Sequence, residues 1–101
     1  MLCVRFFVRE GMRHDGKSIH DWMFDLAKSL GITGGSSFRA SAGYGRHGLH
    51  EDTFFELAGT LPETVEFFGE DATIRTLIEQ VGAAGLKLVY VMHPVNVGMT
   101  G

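Results

Sequence analysis

The hydrophobic period of this chain alternates between two and 3.6 in a fixed order: strand, helix, strand, strand, helix, strand. Leu2, Val4, Phe6 and Val8 alternate with Cys3, Arg5, Phe7 and Arg9, the pattern of a strand with one apolar face. Residues 10–16 read as a polar loop with two glycines. The spacing predicts a helix over 18–30, with Ile19, Met23, Leu26 and Leu30 as its stripe and Trp22 and Ala27 beside it. Ser18 and Asp21 have the spacing of a capping box, and Gly31 stands where a helix ends. A second strand is expected over 36–44. Phe38, Ala40, Ala42 and Tyr44 would share one of its faces, and Ser37, Arg39 and Ser41 the other. A loop follows over 45–60, with room for one helical turn at 53–58. The third strand is expected over 62–68, Val65 and Phe67 opposing Glu66 and Phe68. Asp71 is placed to cap a second helix whose Ile74, Leu77, Ile78 and Val81 recur at helical spacing. Gly82 and Gly85 bracket its exit, 86–93 reads as the fourth strand, and 94–101 as a loose tail.

At 101 residues one domain is expected, without repeats or linkers. In a chain this short the order βαββαβ favours the ferredoxin-like arrangement. That α+β fold sets a four-stranded antiparallel sheet against two helices. Right-handed crossovers put both helices on one face. The other face would carry Arg5, Phe7, Arg39, Glu66, Phe68, Val89 and Val91. That set is too apolar to be left in water and too charged for a monomer core, so a partner subunit is its expected cover.

Composition excludes several functions. The formal charge is -3 and the nine Lys and Arg residues are scattered, which argues against a nucleic-acid partner. Cys3 is the only cysteine, so no internal disulfide forms, and this suits a reducing cytosol. No apolar run reaches the length of a membrane span. The first residues read as a strand and not as a signal peptide. A cytoplasmic protein without membrane insertion is expected.

The segment with most chemical content is Gly43-Tyr44-Gly45-Arg46-His47-Gly48. Glycines at this spacing let backbone N–H groups approach an anion, and Arg46 suits phosphate or carboxylate. It matches the dinucleotide-binding pattern of glycines. The polar run Leu49-His50-Glu51-Asp52 follows it, however, where that pattern needs a long helix.

Gly16-Lys17, the helix ending in Leu30-Gly31, the run Ser36-Ser37-Phe38-Arg39-Ala40, and Gly43-Tyr44-Gly45 followed by Leu61-Pro62 occur here in a particular order and spacing. In these the chain resembles the PII-like family catalogued as domain of unknown function 190, from Arg5 to about Val91. More distantly, Gly43-Tyr44-Gly45-Arg46 with Gly48, His50 and Glu51 resembles the start of the T-loop of nitrogen-regulatory PII signalling proteins. The resemblance implies a homotrimer with an adenine-nucleotide site between subunits. It places Gly43, Gly45 and Arg46 near a phosphate. The residues of the fourth strand add Lys87 as a second cation for such a site. The resemblance makes 45–60 an effector arm acting on a target protein such as a transporter or an enzyme. One departure concerns the ligand. The 82–87 segment is shorter than the phosphate-binding loop of PII, Lys87 is its only charge, and the tail has no arginine. A triphosphate nucleotide, a smaller anion such as a nucleoside monophosphate, and no ligand at all stay open.

Five histidines raise a metal alternative. His47 and His50, with Glu51 and Asp52 adjacent, could hold Zn²⁺ or Cu²⁺ in a CutA-like trimer. A structural interaction protein is the third reading. Nothing in the residues points to an enzyme: no serine sits in a nucleophile elbow, and Glu70-Asp71 suits a helix start. Trp22 is expected in the core or an interface, and Phe24, off the main stripe, in an interface.

Overall fold

The computed structural model describes residues 1–43 and 62–101. β1 is Leu2–Arg9, and its Leu2, Val4, Phe6 and Val8 are buried as the alternation requires. The expected polar loop contains a small hairpin, β2 (Arg13–His14) and β3 (Lys17–Ser18). Asp15 and Gly16 both have positive φ, the geometry of a type I′ turn, and Asp-Gly is a favoured dipeptide for it. The hairpin lies against α1 (Ile19–Ser29) through the Trp22 indole, which meets the His14 ring edge-on at 4.7 Å. The Ser18 hydroxyl accepts from the Asp21 amide at 3.3 Å and caps α1. Gly31, at φ 86°, turns the chain out of its last turn.

β4 spans Gly35–Arg39, ending five residues short of the expected 36–44. The Ala40 amide still donates to the Pro62 carbonyl at 2.9 Å, after which the ladder stops. The register corrects the assignment of faces. Gly35 lies opposite Phe67, Ser37 opposite Val65 and Arg39 opposite Glu63, all on the helix side, so Arg39 leaves the helix-free face and Phe38 joins it. The physical reason is steric. A Cβ at Gly35 would sit 2.5 Å from Phe67 Cε1, so the position facing that buried ring must be glycine, and the parity of the strand follows.

β5 is Pro62–Gly69 and α2 is Asp71–Ala83. Glu70, not Asp71, occupies the N-cap position of α2 and makes no side-chain cap bond; Asp71 is the first helical residue. β6 is Tyr90–Pro94, shorter at its start than the expected 86–93. Ahead of it, the Phe7 amide still donates to the Val89 carbonyl at 2.9 Å. Pro94 is accommodated because β6 is an edge strand.

The sheet order is β4-β5-β1-β6, with every neighbouring pair antiparallel. This is the ferredoxin-like order, in which the two central strands are the first and third of the four. Val4, Phe6, Val8, Val65 and Phe67 form one core with Ile19, Met23 and Ala27 of α1 and Ile74, Leu77 and Val81 of α2. Both helices therefore cover the same sheet face.

Candidate functional site

Gly43, the first residue of the glycine segment, lies just beyond the β4 edge strand. Gly43 is exposed and irregular, beyond the last ladder bond. Gly45 and Arg46 lie outside the described residues, as do His47, His50 and the whole 45–60 segment. Lys87 is exposed in the connection from α2 to β6. Gly43 and Lys87 sit at the same end of the sheet, because β4 and β5 meet at Ala40 and Pro62 while Val89 bonds to Phe7. They occupy opposite edges, however. Three strand spacings, about 14 Å, separate those edges, so one chain does not bring the two residues together.

What the fold does assemble beside the turn is a polar cluster. Glu63, the second residue of β5, is 7% exposed and is the single buried charged side chain among the described residues. Its register partner Val8 and the strand's inward parity put it on the helix side. A carboxylate there needs partners. The Ser37 hydroxyl of β4 donates to Glu63 Oε2, and His20 Nδ1 of α1 lies 3.2 Å from the same oxygen. His20 Nε2 is 3.7 Å from Asp21, and its ring meets Phe24 at 5.6 Å. Beside it, Arg39 reaches Glu10 at 3.4 Å. Three elements thus converge on one carboxylate at the foot of the 44–61 segment. The serine is a donor to the carboxylate and is not activated by the imidazole, so no nucleophile is built here. The sequence gives Ser37 only as a strand residue and His20 only as one of five histidines, and does not single out Glu63. The available signal was a glutamate at an inward position of an alternating strand.

The helix-free face holds a different arrangement. Arg5 Nη2 and Nε lie 2.9 and 3.2 Å from Glu66 Oε2, a directly cross-strand pair in the middle of the face. Around it stand Phe7, Phe38, Phe68 and Val91, with Phe38 54%, Phe68 45% and Val91 43% exposed. Cys3 opens onto this face but is buried. Burial, and then the charge and hydrogen bond of Glu66, push its thiol up, so it stays protonated and unreactive at neutral pH. Among the described residues no group of three or more His, Cys, Asp or Glu side chains is arranged to hold a metal. Nor is any described helix long and apolar enough to cross a membrane.

Comparison with known proteins places the chain in a family. Residues 1–97 match the model of domain of unknown function 190, described as an uncharacterized ACR family. A UPF0166 protein of Aquifex aeolicus is 32% identical over 79 residues, covering 77% of this chain and 75% of the relative. A UPF0166 protein of Methanocaldococcus jannaschii is 24% identical over 78 residues, covering 77% and 72%. With its ferredoxin-like sheet, its two helices on one face and this match along almost its whole length, the chain belongs to the DUF190 family.

Proposed function

We propose that this protein is a PII-like regulatory protein, not an enzyme, working as a homotrimer in the cytoplasm. Its effector is a small anion, with an adenine nucleotide as the leading candidate. The anion binds in clefts between subunits, and the 45–60 segment carries the response to a target protein. The observation that supports this best is the helix-free face. Four exposed or half-exposed hydrophobic side chains surround one ion pair there, which is the composition of an interface centre and costly to leave in water. The separation of Gly43 from Lys87 supports the same reading. An anion held by both sides of the sheet end needs the β4 edge of one subunit and the β6 edge of another. Arg46 would add a two-pronged contact to phosphate.

The test has two arms. Light scattering on the full chain should give about three times the 11.1 kDa protomer. Titration calorimetry with AMP, ADP, ATP and inorganic phosphate should then detect binding by at least one of them. Arg46→Ala and Lys87→Ala should each weaken that binding roughly tenfold, while Arg9→Ala should do less. A stable monomer at micromolar concentration removes the subunit cleft. A trimer inert to all four ligands removes the sensing role and leaves an interaction protein.

A further inference from the structure

A cleft on the helix side of the β4 edge belongs to neither the polar cluster nor the helix-free face. Its volume is about 250 Å³. The sequence creates it in three steps. Gly31 ends α1, and the Ile32 amide folds back to the Ala27 carbonyl at 3.0 Å, burying Ile32 against the core. The chain then enters β4 through Gly34 and Gly35, which bring no side chains to cover the neighbouring Phe67 ring. At Gly35 there is no room for one, since a Cβ would collide with Phe67. At Gly34 there is room, since a Cβ would meet nothing within 4 Å. The next aromatic, Phe38, points to the other face. A gap is left that interior packing would otherwise fill.

The walls are mostly apolar, from Phe24, Ala27, Ile32 and Phe67, the two rings meeting edge to face at 6.0 Å and 85°, and Thr33 is the one uncharged polar side chain in the lining. One charged residue lines the cleft, Lys28 in the last turn of α1. Lys28 makes no ion pair among the described residues. The nearby acid on its own helix, Asp25, forms its ion pair with Lys17 of the hairpin and feels the Lys28 charge only at longer range. An apolar pocket of aromatic edges with one unpaired cation complements a flat apolar body that carries one negative charge. At interior packing density the space holds roughly ten non-hydrogen atoms.

We infer that the cleft between α1 and the start of β4 is a binding site for a small aryl carboxylate, with the ring against Phe24 and Phe67 and the carboxylate on Lys28. The site lies within one chain and is independent of the anion site proposed between subunits. Phe24 is also the residue that stacks on His20, so an occupant would touch the wall shared with the Glu63 cluster.

Phenylacetate and phenylacetamide, which share a shape and differ in charge, are the probes. Each is titrated into the full chain up to about 10 mM while the methyl resonances of Ala27 and Ile32 are followed by NMR. The acid should shift both methyls saturably and bind about tenfold more tightly than the amide. Lys28→Gln should bring the two affinities together. Arg46→Ala should change neither, which separates this site from the subunit cleft. Several results would overturn the inference: no saturable shift, equal affinities in the wild type, shifts confined to other residues, or indifference to Lys28→Gln.

Discussion

Two residues carry consequences out of proportion to their size. Gly35 has no alternative: the nearest atoms to an added Cβ are the Cε1 and Cδ1 of Phe67, at 2.5 and 2.7 Å, and that ring is only 1% exposed. Gly35→Ala should therefore cost about 1–3 kcal/mol in urea unfolding, through displacement of a buried ring. Gly69→Ala is the control. Its Cβ would find ordinary contact with Ile74 at 3.7 Å, so it should be neutral or stabilise by up to about 1 kcal/mol. Cys3 gives a pH signature. Its thiol is raised in the folded chain, so folding favours the protonated form. That contribution is complete below the unfolded thiol value, near 8.5, and is lost as pH rises through the higher folded value. Stability measured from pH 8 to 10 should fall more steeply in the wild type than in Cys3→Ala. Iodoacetamide should label Cys3 slowly in the native protein and quickly in urea.

The two helices differ in how their ends are finished, and this predicts opposite responses to similar changes. In α1 the Ser18 hydroxyl satisfies an otherwise orphaned amide. Ser18→Ala should cost about 1 kcal/mol. In α2 the N-cap Glu70 has the extended backbone of a cap, φ -61° and ψ 146°, but no side-chain bond. Glu70→Ser should gain about 0.5–1 kcal/mol, since serine reaches the amides that glutamate overshoots. Thermal unfolding of the pair of variants checks both signs at once. The sequence placed both helices correctly but misassigned the second cap. Glu70 and Asp71 are adjacent acids at a helix start, and only backbone geometry separates the cap from the first helical residue. The Asp15-Gly16 turn was legible and was passed over, because a two-residue hairpin buries too little to leave a hydrophobic pattern.

For the molecule as a whole, one sheet face is covered by helices and the other is not. The proposed trimer uses the uncovered face, so a charge placed among its hydrophobic side chains should split the assembly without unfolding the chain. Phe68 is 45% exposed and outside the core. Phe68→Asp should yield a folded protomer near 11.1 kDa by light scattering, with its far-ultraviolet circular dichroism unchanged. Anion binding at the subunit cleft should be lost with it, while phenylacetate binding at the α1–β4 cleft should persist. A Phe68→Asp protein that keeps the oligomeric mass of the wild type would move the interface elsewhere.

The sequence by itself determined the order of elements, the inward side of β1 and β5, and the stripes of both helices. Each of these is a local periodicity repeated often enough to exceed chance, as in Leu2, Val4, Phe6 and Val8. It also determined the family, through the order of short motifs from Gly16 to Pro62. Tertiary structure decided which face β4 presents. That strand is rich in small and polar residues, so its own pattern is too weak to set parity. The choice is made by the Phe67 ring, 32 residues further along the chain, which only Gly35 can face. The same long-range contact corrected Arg39, opened the cleft beside Lys28 and set Ser37 on Glu63, where His20 of α1 joins them. Those groups come from β4, α1 and β5, and no spacing in the sequence links them. A buried carboxylate draws its partners from whatever elements surround it, and the packing of helices on a sheet determines which those are.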